Sequence, residues 1–225
     1  MKVSFYGHAC IELHLEQSSI LFDPFIRPNK LASNINVAEI KPDYILLSHG
    51  HEDHMADLFE IQKNGNSTVI CIAEIAYWLN AKGLTKVHGM NIGGSYSFDF
   101  GKVKMVNALH SSSLPDGSYG GNPAGFIIRA DGKKIYFAGD TALFSDMKLM
   151  ADENLDWAFL PIGDNFTMGV DDAIKATGFI NCKNIIGIHY NTFPPIQINE
   201  QEALDKFAAA GLNLRLLSIG QSLEL

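Results

Sequence analysis

Residues 48–54 read Ser48-His49-Gly50-His51-Glu52-Asp53-His54, directly after the apolar run Tyr44-Ile45-Leu46-Leu47. Three imidazoles and an aspartate thus fall within six positions. A solvated face has little reason to concentrate histidine so densely, and a core cannot hold unpaired imidazoles without cost. Metal ligation fits, because neutral imidazole and carboxylate are the usual partners of zinc and its first-row neighbours. The unbroken apolar run before the cluster is the pattern of a strand buried on both faces. A buried strand that delivers a metal-binding loop is the feature from which the rest of the chain is read.

Toward the N-terminus, residues 2–6 and 10–15 read as strands joined at Gly7-His8-Ala9. In the second, Cys10, Glu12 and His14 alternate with Ile11, Leu13 and Leu15, a period of two. Ile20-Leu21-Phe22 is a short strand stopping at Asp23-Pro24, and residues 25–36 read as a loop. Beyond His54 the spacing predicts a helix from Met55 to Gly65, a strand over 68–72 and a helix over 73–81 with Gly83 as its stop.

Strands are expected at 86–90, 95–100 and 102–109, the last ending at His110. Residues 125–129 and 134–138 form a predicted hairpin across Ala130-Asp131-Gly132-Lys133, running out at Gly139-Asp140-Thr141. Helix 143–150, strand 157–160, helix 171–179 and strand 184–188 follow, and His189 ends that strand. Asn199 with Glu202 three residues on has capping-box spacing for a last helix stopping at Gly211. A final pair of short strands closes the reading. Runs of strands that give way to βα units, twice over, predict an α/β fold: a four-layer αββα sandwich of two mixed β-sheets with outer helices.

A chain of 225 residues, 47% hydrophobic and without a Pro/Ser-rich linker, is expected to form a single domain over 1–225. Its net charge of −8 and scattered basic residues argue against a nucleic-acid partner. No basic-then-apolar leader and no apolar run near the ~18–20 residues of a bilayer span are present, so a cytoplasmic protein without membrane association is expected. Cys10, Cys71 and Cys182 are odd in number and far apart, and are expected as free, buried thiols. Oligomeric state is not readable.

His110, Asp140 and His189 each close an apolar strand before a Gly-, Pro- or Asn-rich loop. With the first cluster they make seven candidate donors: His49, His51, Asp53, His54, His110, Asp140 and His189. A catalytic zinc needs only about three protein ligands, so the set implies two divalent ions with a bridging carboxylate. At this point the chain resembles the metallo-β-lactamase superfamily. Its H-x-H-x-D-H motif matches His49-x-His51-x-Asp53-His54, and its later His, Asp and His match His110, Asp140 and His189 in order. The resemblance covers nearly the whole chain. It implies that His49, His51 and His110 hold one metal, that Asp53, His54 and His189 hold the other, and that Asp140 bridges.

Gly7-His8-Ala9, Asp23-Pro24 and Pro161-Ile162-Gly163-Asp164-Asn165 look like a branch of bacterial metal-dependent hydrolases similar to ascorbate-6-phosphate lactonases and, more distantly, to N-acylphosphatidylethanolamine-type phospholipases D. The flavo-diiron branch has a carboxylate where His51 stands, so zinc is expected, with manganese or iron as possible occupants.

The implied function is a metal-dependent hydrolase acting on an ester, lactone, amide or phosphodiester of a small molecule. The metals would lower the pKa of a shared water from 15.7 to about 7 and so generate hydroxide. Asp53 is expected to orient that water or accept its proton, and His8 to serve as acid, base or anchor. Asp23 is a candidate partner of a ligating histidine, since such rings usually donate their other N–H to a carboxylate; Asp43 is a weaker one. Arg27, Lys30, Asn165 and Tyr190 are candidate substrate contacts, and Phe25, Phe166, Met168 and Phe193 either wall the pocket or plug the loops. His14 and His88 are expected to be structural. A nuclease or cyclic-nucleotide phosphodiesterase is one alternative; a non-catalytic metal- or ligand-binding regulatory protein is another.

Overall fold

In the computed structural model, which describes residues 1–225, β1 (Lys2–Gly7) and β2 (Cys10–His14) pair antiparallel about the His8-Ala9 turn. β3 (Ser19–Phe22) continues antiparallel, and then the direction changes. β4 (Tyr44–Leu46), β5 (Thr68–Ile72) and β6 (Val87–Met90) add in parallel. α1 (Glu52–Met55), α2 (Leu58–Gly65) and α3 (Ala73–Ala81) lie in the crossovers that parallel pairing demands.

The second sheet repeats the scheme. β7 (Ser95–Phe98), β8 (Gly101–Asn107), β9 (Ala124–Ala130) and β10 (Lys133–Phe137) run antiparallel; β11 (Trp157–Pro161), β12 (Asn184–Ile188) and β13 (Asn213–Arg215) add in parallel. α4 (Val170–Ile180) and α5 (Glu200–Ala209) cover its outer face. β14 (Ser222–Glu224) then returns to pair with β1. Each sheet has seven strands, in the orders β14-β1-β2-β3-β4-β5-β6 and β13-β12-β11-β10-β9-β8-β7. This is the expected αββα sandwich.

Between the sheets Phe22 stacks on Phe137 with ring centroids 4.5 Å apart, and Phe126 and Phe159 pack around them, all fully buried. Each such ring is worth about 1.5–3 kcal/mol of transfer free energy. Outside the second sheet, Ala173 and Ala176 of α4 and Ala203 of α5 let the helices approach Ile127, Tyr136 and Leu160 closely. The β9–β10 hairpin turns at Asp131-Gly132, with φ of 49° and 72°, the paired left-handed residues of a type I′ turn.

The helix expected over 55–65 is broken. Asp57 gives its N–H to the Pro24 carbonyl and takes the N–H groups of Ile26 (2.6 Å) and Arg27 (3.0 Å) on its carboxylate. Tertiary hydrogen bonds to the loop thus replace one continuous helix by α1 and α2. The helix expected over 143–150 is instead a 3-10 coil at Ser145–Glu153, whose end is tethered through Glu153 to Lys104, Arg129 and Lys134. The last two strands are not partners: β13 extends the parallel series and β14 completes the other sheet. At α5 the Asn199 side chain accepts the Glu202 N–H as the spacing predicts, while the Glu202 carboxylate turns to Lys206. The three cysteines are free and buried. No helix is long and apolar enough to cross a membrane.

Candidate metal centre

His8 comes from the β1–β2 turn, Asp23 follows β3, residues 48–54 follow β4, and His110, Asp140 and His189 follow β8, β10 and β12. Ligands at the carboxyl ends of strands are anchored on one side by the sheet while their loops can shape a pocket. The two sheets are stitched together here: the His189 N–H donates to the His8 carbonyl at 2.9 Å and the Ala124 N–H to the Ser48 carbonyl at 2.9 Å. His8, Asp23 and His189 adopt left-handed φ of 57°, 43° and 54°. For residues other than glycine such conformations cost of order 1–3 kcal/mol and cluster at functional sites. Gly139, with φ of 60°, precedes Asp140; a Cβ there would meet the Ser48 Cβ at 2.6 Å. Only glycine lets the ends of β10 and β4 close on each other.

Three groups of side chains have ligating atoms within 4.8 Å of one another. Two hold the strand-end donors: His49, His51 and His110 in the first, and Asp53, His54, His189 and His8 in the second; the third, Asp23 with His49 and His54, shares a histidine with each. In the first, His49 Nε2 faces His51 Nδ1 at 2.9 Å. In the second, Asp53 Oδ2 is 3.2 Å from His8 Nε2, 3.9 Å from His54 Nε2 and 4.0 Å from His189 Nε2. Asp140 stands between them. Its Oδ2 lies 3.0 Å from His189 Nε2, 3.4 Å from His54 Nε2 and 3.6 Å from His110 Nε2.

His54 Nε2 and Asp140 Oδ1 are buried and make no hydrogen bond within the chain. Buried polar atoms are nearly always paired. An imidazole nitrogen and a carboxylate oxygen orphaned together amid other donors fit a bound cation.

Behind the first group of contacts, Asp23 is fully buried. Its Oδ2 accepts from His54 Nδ1 (2.8 Å) and from Ser48 Oγ (2.6 Å), and its Oδ1 from the Ser48 N–H (2.8 Å). Because Ser48 Oγ donates to Asp23, it accepts from His49 Nδ1 at 2.9 Å. One carboxylate therefore fixes the Nδ1–H tautomer of His54 directly and of His49 through a hydroxyl, which leaves both Nε2 lone pairs free.

The electrostatics follow from burial and neighbours. Burial, and then the charge of His54, holds His49 well below the ordinary imidazole range. His51 and His110 are lowered, chiefly by burial. Burial disfavours the charged form of His54 too, but Asp140 and Asp23 on either side outweigh it and raise the group well above its ordinary value. Asp140 is the counterpart: burial pushes it up, while His189 and His54 hold it well below the carboxylate range. Asp53, likewise opposed by burial, is lowered by the hydrogen bond from His8 and the charge of His54. His8 is lowered to about 4 by burial and then by His189, so it is neutral at pH 7.

The two groups open onto a cavity of about 280 Å³ lined by His51, Asp53, His110, Ser111, Asp140, Phe166 and His189. Phe166 sits on a tight turn whose Asp164 and Asn165 both take left-handed φ, 61° and 56°, pinned at its base by the Gly163–Gly169 bridge. A larger cleft of about 350 Å³ at the start of α4 and α5 carries Asp171, Asp172, Glu202 and Lys206 but no imidazole.

The remaining expected residues distribute as follows. His8 bridges Asp53 and Thr192, its Nδ1 lying 2.9 Å from the Thr192 hydroxyl. Arg27 and Lys30 are exposed and line none of this cavity, and the Arg27 guanidinium pairs with Glu60. Asn165 is in the Phe166 turn but is not a lining residue. Tyr190 faces a separate cavity of about 160 Å³ shared with His8 and Thr192. Asp43 accepts the Ser19 N–H, away from both groups. Phe25 and Phe193 pack edge-on against His8 at 5.4 Å each, and Met168 is buried. His14 contacts Ser4, and His88 packs on Tyr96. Sequence reasoning missed Thr192, whose only signal is its place three residues after His189, and the Ser48 relay, because a serine beside a histidine does not tell which groups its hydroxyl will join.

Relatives match the chain over their whole length. A Flavobacterium johnsoniae protein described as a UPF0173 metal-dependent hydrolase is 52% identical over 226 residues, covering all of both chains. The UPF0173 metal-dependent hydrolase YtkL of Bacillus subtilis is 46% identical over 231 residues, again covering both completely. Among solved structures, Igni18, a metallo hydrolase of the archaeon Ignicoccus hospitalis, superposes with a TM-score of 0.89 at 32% identity, covering 100% of this chain and 98% of its own. The profile of the beta-lactamase superfamily domain matches residues 18–190, which span Asp23 and all seven donors from His49 to His189. On fold, sequence and donor set alike, the chain belongs to the metallo-β-lactamase superfamily, in its branch of UPF0173 metal-dependent hydrolases.

Proposed function

We propose that this metal-dependent hydrolase works with two divalent ions, zinc by preference, on an ester, lactone, amide or phosphodiester bond of a small molecule. The observation that carries the reading is the position of Asp140, whose Oδ2 lies 3.0–3.6 Å from imidazoles belonging to both groups. In this reading His49, His51 and His110 hold one ion, Asp53, His54 and His189 the other, and Asp140 is shared. Five imidazoles with two carboxylates suit zinc better than a redox iron pair. The metal pair supplies water activation at neutral pH and polarisation of the substrate oxygen.

The chain's own residues do the rest. Asp23 sets the tautomers of His54 and, through Ser48, of His49. Neutral His8 has one ring proton; it gives that proton to Asp53 Oδ2 and takes the Thr192 hydroxyl on Nδ1. Asp53 is thereby held as the anion, oriented to accept a proton from an attacking water. Ser111 and Phe166 are the cavity residues left to meet the substrate. Asn165, beside Phe166, is a further candidate contact, whereas the Arg27–Glu60 pair and the separate Tyr190 cavity count against those two in that role. The absence of a long apolar helix is in keeping with a cytoplasmic enzyme.

Metal analysis followed by a panel of bis-p-nitrophenyl phosphate, a lactone, nitrocefin and a thioester tests the reading, with His51→Ala as control. Two equivalents of metal and turnover of at least one substrate, lost in the control, are expected. Binding of less than one equivalent of any transition metal refutes it; two equivalents without turnover favour a regulatory metal-binding role.

A further inference from the structure

The cavity walls carry information about the substrate that the metal groups do not. Five of the seven lining residues, His51, Asp53, His110, Asp140 and His189, belong to the donor set. The two left over are Ser111 and Phe166. No lysine or arginine lines the cavity. Of the basic residues that the sequence offered as substrate contacts, Lys30 is exposed outside this cavity and Arg27 spends its guanidinium on Glu60 at the protein surface. A carboxylate or phosphate carried by the substrate away from the scissile bond would therefore lose hydration without gaining a counter-charge, which is costly.

Phe166, by contrast, presents an aromatic ring to the cavity while remaining 55% exposed. An aromatic side chain that lines a cavity while half in water is placed to meet a ligand rather than to fill a core. The turn that holds Phe166 is stiff: Asp164 and Asn165 are both left-handed, the Asp164 N–H donates to the Met168 carbonyl at 3.1 Å, and the Phe166 N–H returns to the Asp164 carbonyl at 2.6 Å. Neither strained residue is glycine, so the chain accepts strain to hold this ring in place. A rigid aromatic wall loses little side-chain entropy on binding.

We infer that the substrate carries an uncharged, apolar acyl chain or ring beside the scissile bond, and that Phe166 is the residue that selects it. This rests on the two-metal reading above. The test is binding rather than turnover. Protein loaded with two equivalents of zinc, its metal content verified, is titrated calorimetrically with hexanohydroxamate and with the monohydroxamate of succinic acid. The two probes share a metal-binding head and differ in an apolar against a carboxylate tail.

Hexanohydroxamate is expected to bind about tenfold or more tightly, the scale set by a few buried methylenes. Phe166→Ala should weaken it about five- to fiftyfold, as loss of one aromatic contact does, and leave the succinic probe within about twofold. Phe166→Leu should keep most of the preference. Equal or tighter binding of the charged tail, or a Phe166→Ala variant with an unchanged ratio, overturns the inference. Failure to load a second metal overturns the two-metal reading and this inference with it; verified two-zinc protein that binds neither probe overturns this inference alone. The metal content and the ratio of the two affinities tell the failures apart.

Discussion

Asp23→Asn isolates what a single buried carboxylate contributes to the metal groups. The substitution is nearly isosteric, and asparagine tolerates the left-handed φ of 43° that this position requires, so the backbone is not put at risk. What changes is hydrogen-bond arithmetic. Asp23 accepts three hydrogen bonds, from His54 Nδ1, Ser48 Oγ and the Ser48 N–H. An amide has one acceptor oxygen. If that oxygen stays with the Ser48 N–H, the new NH₂ faces two donors, and His54 must move its proton to Nε2, where a metal would bond. If it turns to His54, the Ser48 N–H is orphaned in a fully buried place. Either way one buried donor is unsatisfied, at about 1–3 kcal/mol. Loss of such a supporting acceptor typically weakens metal affinity about 10–100-fold, which is about 1.4–2.8 kcal/mol. The two scales agree.

The assay is competition for zinc against a chromophoric chelator, with stoichiometry from elemental analysis and near-UV circular dichroism as a check on folding. Asp23→Asn should lose affinity at both steps, because it touches His54 directly and His49 through Ser48. Ser48→Ala should weaken only the step that depends on His49. A folded Asp23→Asn protein that binds both metals within about twofold of wild type would refute the relay, because the acceptor loss alone predicts at least about tenfold.

Stability against pH should differ between stripped and loaded protein. Without metal, His8, His49, His51 and His110 are lowered from 6.5, so below that value the unfolded chain binds protons that the native one does not, and stability falls on acidification. His54 is raised above 6.5: its contribution is complete below 6.5 and is lost as pH rises through its folded value. The stripped protein should therefore melt highest near about pH 6.5 and decline on both sides. Loaded protein, with no proton on His54 to lose, should not decline on the alkaline side; scanning fluorimetry from about pH 5 to 9 reads the difference. Gly139→Ala should cost more than about 2 kcal/mol in urea unfolding and lower zinc affinity as well, because a Cβ 2.6 Å from Ser48 pushes Asp140 off its position; wild-type stability would contradict the close approach. Phe137→Ala should cost about 3–5 kcal/mol with no change in metal stoichiometry, since the ring packs between the sheets rather than at their rim.

That the seven candidate donors would converge was legible in the sequence because the signal is local: each sits at or just beyond the end of an apolar run, and a strand end carries its position into the fold. The Asp131-Gly132 turn was legible for the same reason, since two left-handed residues must be of a few types. What failed was set by distant partners. Asp57 looked like a helical residue and instead serves Ile26 and Arg27 across a loop. The strands at Asn213–Arg215 and Ser222–Glu224 looked like a pair because they are adjacent, but their partners lie in different sheets. Arg27 was a candidate substrate contact, yet nothing in the sequence tells that Glu60 stands opposite it. Phe166 was one of four loop aromatics and methionines with equal claims, and only the fold separates the ring at the cavity from buried Phe25 and Met168 and half-buried Phe193.

The chain passes between the two sheets only twice, between β6 and β7 and between β13 and β14. The two groups that Asp140 joins each draw members from both sides of that divide: His49 and His51 with His110, and Asp53 and His54 with His189. Neither half of the molecule holds either group complete. A cation at the rim would thus act as a clasp between two half-molecules, and its free concentration would set how long they stay shut. Scarcity of metal should be felt first as breathing of the sandwich along its ligand-bearing edge, with faster amide exchange at the ends of β4, β8, β10 and β12, while the strands of each sheet remain paired.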